Sequence, residues 1–140
     1  MNLHTKLLER EAAGRPVTVG LIGAGKFGTM FLSQARLTRG MHLAGVADLN
    51  VGRARSQLAT AGWPAESFAA TSLMDALKAR GTHVTDNADA LIACSEIEVI
   101  VEATGDPKVG IGFAIKTIQH GKHIVMVNVE ADALAGPLRH

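Results

Sequence analysis

The chain has 140 residues, enough for one domain with a buried core, and 47% of them are hydrophobic. Fourteen Lys and Arg nearly balance thirteen Asp and Glu, for a formal net charge of +1; no basic face stands out, which argues against nucleic acid as a partner. The single cysteine, Cys94, rules out a disulfide framework within the chain and fits a reducing compartment. No stretch is long and apolar enough to span a bilayer, and the start Met1-Asn2-Leu3-His4-Thr5-Lys6 lacks the apolar core of a signal peptide. The expected location is cytoplasmic.

Residues 3–13 read as a helix, with Leu3, Leu7 and Leu8 on one face and Gly14 ending it before Pro16. It precedes the first strand and so reads as an appendage (residues 1–14) to a domain of residues 15–140. The plainest role is packing; covering a sheet edge or an oligomer contact is the alternative. Val17, Val19, Leu21 and Ile22 then form the short apolar run of a parallel strand covered on both faces. Gly23, Gly25 and Gly28 follow in the G-x-G-x-x-G spacing, with Phe27, Met30, Phe31 and Ala35 behind them at helical spacing. In that context Gly23 permits the sharp turn, Gly25 lets a pyrophosphate approach the backbone, and Gly28 lets the helix pack closely on the strand. The unpaired N–H groups and positive dipole end of that helix are suited to phosphates. A turn that merely joins strand and helix is the plainer alternative.

A second strand, Met41 to Ala47, ends in Asp48, 25 positions after Gly23, near the spacing expected for the acid that binds an adenosine ribose. Asp48 could instead cap the next helix. As a ribose ligand it should repel a 2′-phosphate, which argues for NAD. Arg53 and Arg55 lie close enough to soften that argument but read as plain surface charges. The next helix runs to about Ala61, with Ala54, Leu58 and Ala61 inward, and Gly62-Trp63-Pro64 breaks it. Ser72 is a plausible N-cap, with Asp75 in the first turn and Leu73, Ala76 and Leu77 as the apolar face.

Thr82 to Thr85 is a short strand candidate, and Asp86 or Asn87 caps a helix carrying Ala88, Leu91, Ile92 and Cys94. Cys94 reads as a small buried apolar residue, with a nucleophile as the alternative. Val99 to Ala103 is the clearest later strand. Pro107 opens a helix whose Val109, Phe113, Ile115 and Ile118 are spaced for burial, and Gly121 stops it. His123 to Val127 is a last strand. Alternating strands and helices predict an α/β domain, a Rossmann-type doubly wound parallel sheet, with ligand across the carboxyl ends of the strands. The loops to watch are 23–28, 48–53, 85–87, 104–107 and 128–132. Glu102 is poised equally to orient a cofactor or to bond a neighbouring loop, and Lys26 reads as a solvated loop residue. Glu130 with Asp132, and His120 with His123, each lack a third ligand, so no metal site is expected.

Val-Ile-Val-Glu-Ala-Thr-Gly-Asp-Pro (99–107) and Gly-Lys-His-Ile-Val-Met-Val-Asn-Val-Glu-Ala-Asp (121–132) resemble the homoserine dehydrogenase type of NAD(P)-binding domain. More closely, they resemble its bacterial deoxyxylulose-5-phosphate-reductoisomerase-like relatives. The resemblance takes in the glycine turn and Val46-Ala47-Asp48 as well. It implies a reductase using NAD or NADP, acting by hydride transfer on a small polar substrate. Gly23, Gly25, Lys26, Phe27 and Gly28 would take the pyrophosphate, Asp48 the adenosine ribose, and Ala103, Thr104 and Gly105 the nicotinamide half. Homoserine dehydrogenases usually carry a lysine after the asparagine of the last motif. Here the run is Asn128-Val129-Glu130, so homoserine as substrate is in doubt, and a precursor of isoprenoids is one substrate the reductoisomerase-like relatives suggest. No acid–base constellation for catalysis emerges. The expectation is therefore the cofactor domain of a longer enzyme with a substrate domain beyond residue 140, inactive alone, with a homo-oligomer as one option for its assembly. The alternative is a non-catalytic dinucleotide-sensing or partner-binding module.

Overall fold

The structure, a computed structural model, describes residues 3–127. Five parallel strands form one sheet: β1 (Val17–Ile22), β2 (Met41–Ala47), β3 (His83–Thr85), β4 (Val99–Glu102) and β5 (His123–Met126), in the order β3-β2-β1-β4-β5. Among the described residues there are six helices, α1 (Leu3–Ala12) ahead of the sheet and α2 (Lys26–Ala35), α3 (Val51–Thr60), α4 (Leu73–Ala79), α5 (Ala88–Ala93) and α6 (Pro107–Gln119) between strands, with a 3₁₀ turn at Ala65–Phe68. The expected Rossmann-type architecture is thus the observed one. The strand order reverses between β1 and β4, so the crevice that a doubly wound sheet offers to ligands opens at their carboxyl ends.

Alternation along the strands divides the core into two layers. Val19, Leu21, Leu43, Val46 and Val101 face α2 and α3, meeting Leu32, Ala54 and Leu58. Ile22, Ala44, Ala47 and Ile100 face the other way, against Leu91, Ile92, Ile97 and the half-buried Phe113. Two strand glycines make the second layer thin. A Cβ at Gly45 would collide with the Leu91 side chain, and one at Gly20 would press on Ile100, Ile97 and Leu91. The short α5 therefore sits directly on backbone. The pairing of β1 with β2 shifts register between Val19 and Gly20.

The caps follow the sequence closely. Ser72 accepts the Asp75 amide at 3.1 Å, Asn87 rather than Asp86 accepts the Ala90 amide, and Asp106 accepts those of Lys108 and Val109 ahead of Pro107. The contacts of α1 fall at the amino ends of β2 and β4. Leu7 is buried, Arg10 forks onto Glu98 at 2.9 and 3.1 Å, and Glu11 takes the Gly40 amide at 3.1 Å.

Two sequence expectations fail. Val109, Ile115 and Ile118 are exposed; α6 seats itself through Gly110, Phe113 and Thr117 instead. The reason is steric: a Cβ at Gly110 would stand 2.5 Å from the Glu102 carboxylate, so the helix approaches closest where it has no side chain. Cys94 is only half-buried, because it caps α5 rather than continuing it.

Candidate functional site

The turn after β1 does what its glycines suggest. Gly23 has φ +97°, and its missing Cβ would lie 2.8 Å from the carbonyl of Ala103 and the amide of Thr104. It therefore serves both the turn and the close passage of the β4 exit loop. Gly28 is buried, and a Cβ there would strike the carbonyl oxygen of Gly23, so the helix packs on the turn itself more than on the strand. Gly25 differs. Nothing lies within 4 Å of the Cβ it lacks, and it lines an open cleft.

Helix α2 begins at Lys26 with no side chain capping it. Its first helical hydrogen bond here is from the Thr29 amide to Gly25. The amides of Lys26, Phe27 and Gly28 thus stand at a helix start with the positive dipole end behind them. Phe27 packs its ring toward the core, so its contribution at the site is its N–H; the Lys26 side chain is exposed.

The cleft holds about 450 Å³ at the carboxyl ends of the strands. Four of the five loops expected there reach it: Gly23 and Gly25, Asp48 with Leu49 and Arg53, Asp86, and Thr104 with Asp106. The fifth, 128–132, lies outside the described residues. A second cleft of about 400 Å³ opens at the opposite, amino end among Arg36, Arg39 and Arg80. It has the basic side chains but neither the glycine turn nor an uncapped helix start.

Asp48 is 5% exposed in its side chain, and the chain itself satisfies it. Its Oδ1 accepts the Ala24 amide at 3.2 Å and its Oδ2 the Asn50 amide at 3.1 Å. Arg53 adds a fork, Nη2 to Oδ1 at 2.8 Å and Nε to Oδ2 at 3.2 Å. Arg53 is therefore no plain surface charge. The hydrogen bonds that Arg53 donates to Asp48, then the Asp48 charge, raise the Arg53 pKa. Asn50 caps α3 by accepting the Arg53 amide, which places Arg53 in the first turn beside the loop that carries Asp48.

Glu102 resolves toward the loop. It is buried, and its Oε2 accepts the Thr104 amide at 2.8 Å. Ala103 is buried in the core with its amide on the Ile22 carbonyl, while Thr104 lines the cleft and Gly105 is exposed beside it. Val109 and Phe113 of α6 give the cleft an apolar wall that motif reading missed, having assigned both to the core. Among the described residues, no three His, Cys, Asp or Glu gather as a metal site, and no helix is long and apolar enough to cross a membrane.

The open cradle at Gly25, the uncapped start of α2 and the carboxylate one strand over suit a dinucleotide. Solved structures share the fold. A homoserine dehydrogenase from Thiobacillus denitrificans aligns with TM-score 0.59 at 24% identity over 87% of this chain and 26% of its own. A levoglucosan dehydrogenase in complex with NADH aligns with TM-score 0.55 at 21% identity over 80% of this chain and 27% of its own. A homoserine dehydrogenase from Staphylococcus aureus aligns with TM-score 0.50 at 13% identity over 81% and 26%. The chain thus spans about a quarter of the length of these relatives. No curated protein matches it. Residues 19–139 match the family described as homoserine dehydrogenase, NAD binding domain, and the chain belongs to that family.

Proposed function

We propose that this chain is the cofactor-binding domain of an NAD(P)-dependent oxidoreductase, with the pyrophosphate at Gly23–Gly28, the adenosine ribose at Asp48 and the nicotinamide half along Ala103–Gly105. The observation that carries this reading is Gly25: a residue without a side chain, facing an open cleft, at the uncapped start of a helix. The bound nicotinamide supplies or accepts a hydride. The chain's own part is to bind and orient it. Amides 26–28 meet the phosphates, Asp48 fixes the ribose, and Val109 and Phe113 keep water from one wall of the cleft.

The parent enzyme would act on a small polar substrate. Valine and glutamate follow Asn128 where homoserine dehydrogenases usually carry a lysine, which argues against homoserine; a reductoisomerase-like substrate is one alternative. Titrating NADH fluorescence with the chain tests the reading. Saturable binding is expected in the wild type and its loss in Gly25→Val; absence of binding in the wild type would refute it.

A further inference from the structure

Several acidic side chains have a cation: Glu11 has Arg39, Asp48 has Arg53, Asp89 has Lys116 and Glu98 has Arg10. Glu102 is 3% exposed, more deeply buried than Asp48, and has no cation within salt-bridge distance among the described residues. Its carboxylate sits behind a loop. Oε2 accepts the Thr104 amide at 2.8 Å, and Oε1 lies against Gly110 in the first turn of α6, where a Cβ would stand 2.5 Å away. One amide and the positive end of a helix, equivalent to about half a charge, are the compensation for burying a unit charge. Holding the amide does not require that charge. A glutamine offers the same acceptor oxygen without the cost of taking an ion out of water.

Thr104 lines the cleft, and Gly105 beside it has φ +76° with nothing within 4 Å of the Cβ it lacks. We infer that Glu102 is a positioning residue whose charge matters: from behind the Thr104 loop its carboxylate favours the cationic, oxidised nicotinamide over the neutral, reduced one. The inference rests on the dinucleotide reading above, with the nicotinamide half along Ala103–Gly105. Diphosphate and adenosine are common to both oxidation states, so a difference in affinity arises at the ring. With the oxidised form favoured, hydride passes from the bound reduced ring to substrate more readily than back, which suits a reductase. Asp86 and Asp106 also line the cleft, but both are exposed, so water screens their fields; Asp106 is turned onto the Lys108 and Val109 amides.

The test is direct titration of NAD⁺, NADH and ADP-ribose, the last lacking the ring, against the wild-type chain, Glu102→Gln and Glu102→Asp. Thermal melting verifies folding. The wild type should bind NAD⁺ more tightly than NADH. Glu102→Gln keeps the acceptor for Thr104 and loses the charge. It should weaken NAD⁺ relative to NADH by about three- to tenfold, the scale of one charge acting across a loop at an effective dielectric of about 20, and leave ADP-ribose unchanged. Glu102→Asp keeps the charge on a shorter arm; it should bind both oxidation states more weakly and retain the preference. A folded Glu102→Gln with the wild-type ratio of affinities overturns the inference, as does a folded Glu102→Asp that loses the preference. So does a wild type that binds NADH the more tightly, a result that needs no variant to fold. Each of these leaves the proposed function standing. If no dinucleotide binds the wild type, both fall.

Discussion

Gly25 and Gly28 stand three residues apart and do opposite work. Gly25 keeps a space empty for something outside the chain, while Gly28 keeps two parts of the chain in contact. Alanine separates the two roles. Gly25→Ala should change stability by less than about 1 kcal/mol, since its Cβ meets nothing, yet weaken dinucleotide binding. Gly28→Ala should cost about 1–3 kcal/mol, since its Cβ must push α2 off the Gly23 carbonyl. Chemical denaturation of both variants, paired with NADH titration, checks this; a destabilised Gly25→Ala would mean that the cradle is structural. At this scale the sequence was informative about spacing and silent about pairing. The glycine pattern located the turn and Asp48, but whether Arg53 faced water or the carboxylate depended on the entry angle of α3.

Helix α1 is fastened by polar groups as much as by Leu7. Burial alone would push the Glu98 carboxyl up; hydrogen bonds from the Arg10 guanidinium and the Thr18 amide, with the Arg10 charge, outweigh it and bring its pKa below the usual value. A carboxyl lowered in the fold stabilises fully above the range of the unfolded chain and loses that contribution as pH falls through the folded value. Arg10→Ala should therefore lower stability at neutral pH and flatten the acid limb of the stability curve. His42 adds to the same limb: burial lowers its pKa, Arg80 adds to that, and the Gly81 carbonyl only partly compensates. Melting temperatures from neutral to acid pH test this; parallel curves for wild type and Arg10→Ala would contradict it. Among the elements, α6 departs most from its sequence pattern. Apolar residues at helical spacing look like a buried face, but of those Val109, Ile115 and Ile118 are exposed. The contact is made by Gly110 and Thr117, the second folding its hydroxyl onto the Phe113 carbonyl at 2.7 Å. Hydrophobic periodicity cannot see a helix that packs through its smallest residues.

Over the whole molecule, strand–helix alternation was enough to predict the parallel sheet, because βαβ units have one hand and one common arrangement. What composition could not show was how thin the layer under α5 is. Leu91 is fully buried over Gly20 and Gly45, with no Cβ on either strand to fill space it leaves. Leu91→Ala should cost about 2–5 kcal/mol, toward the upper end if the cavity cannot collapse onto those glycines; urea unfolding gives the value. The central claim is about location: the ligand lies where four loops meet at the carboxyl ends of the strands, not in the arginine-lined cleft of similar size at the amino ends. Amide chemical-shift mapping of the labelled chain during addition of NADH decides between them. The account predicts shifts concentrated at residues 23–28, 48–53, 86 and 104–106. Shifts clustered instead at Arg36, Arg39 and Arg80, with the glycine turn unmoved, would contradict it.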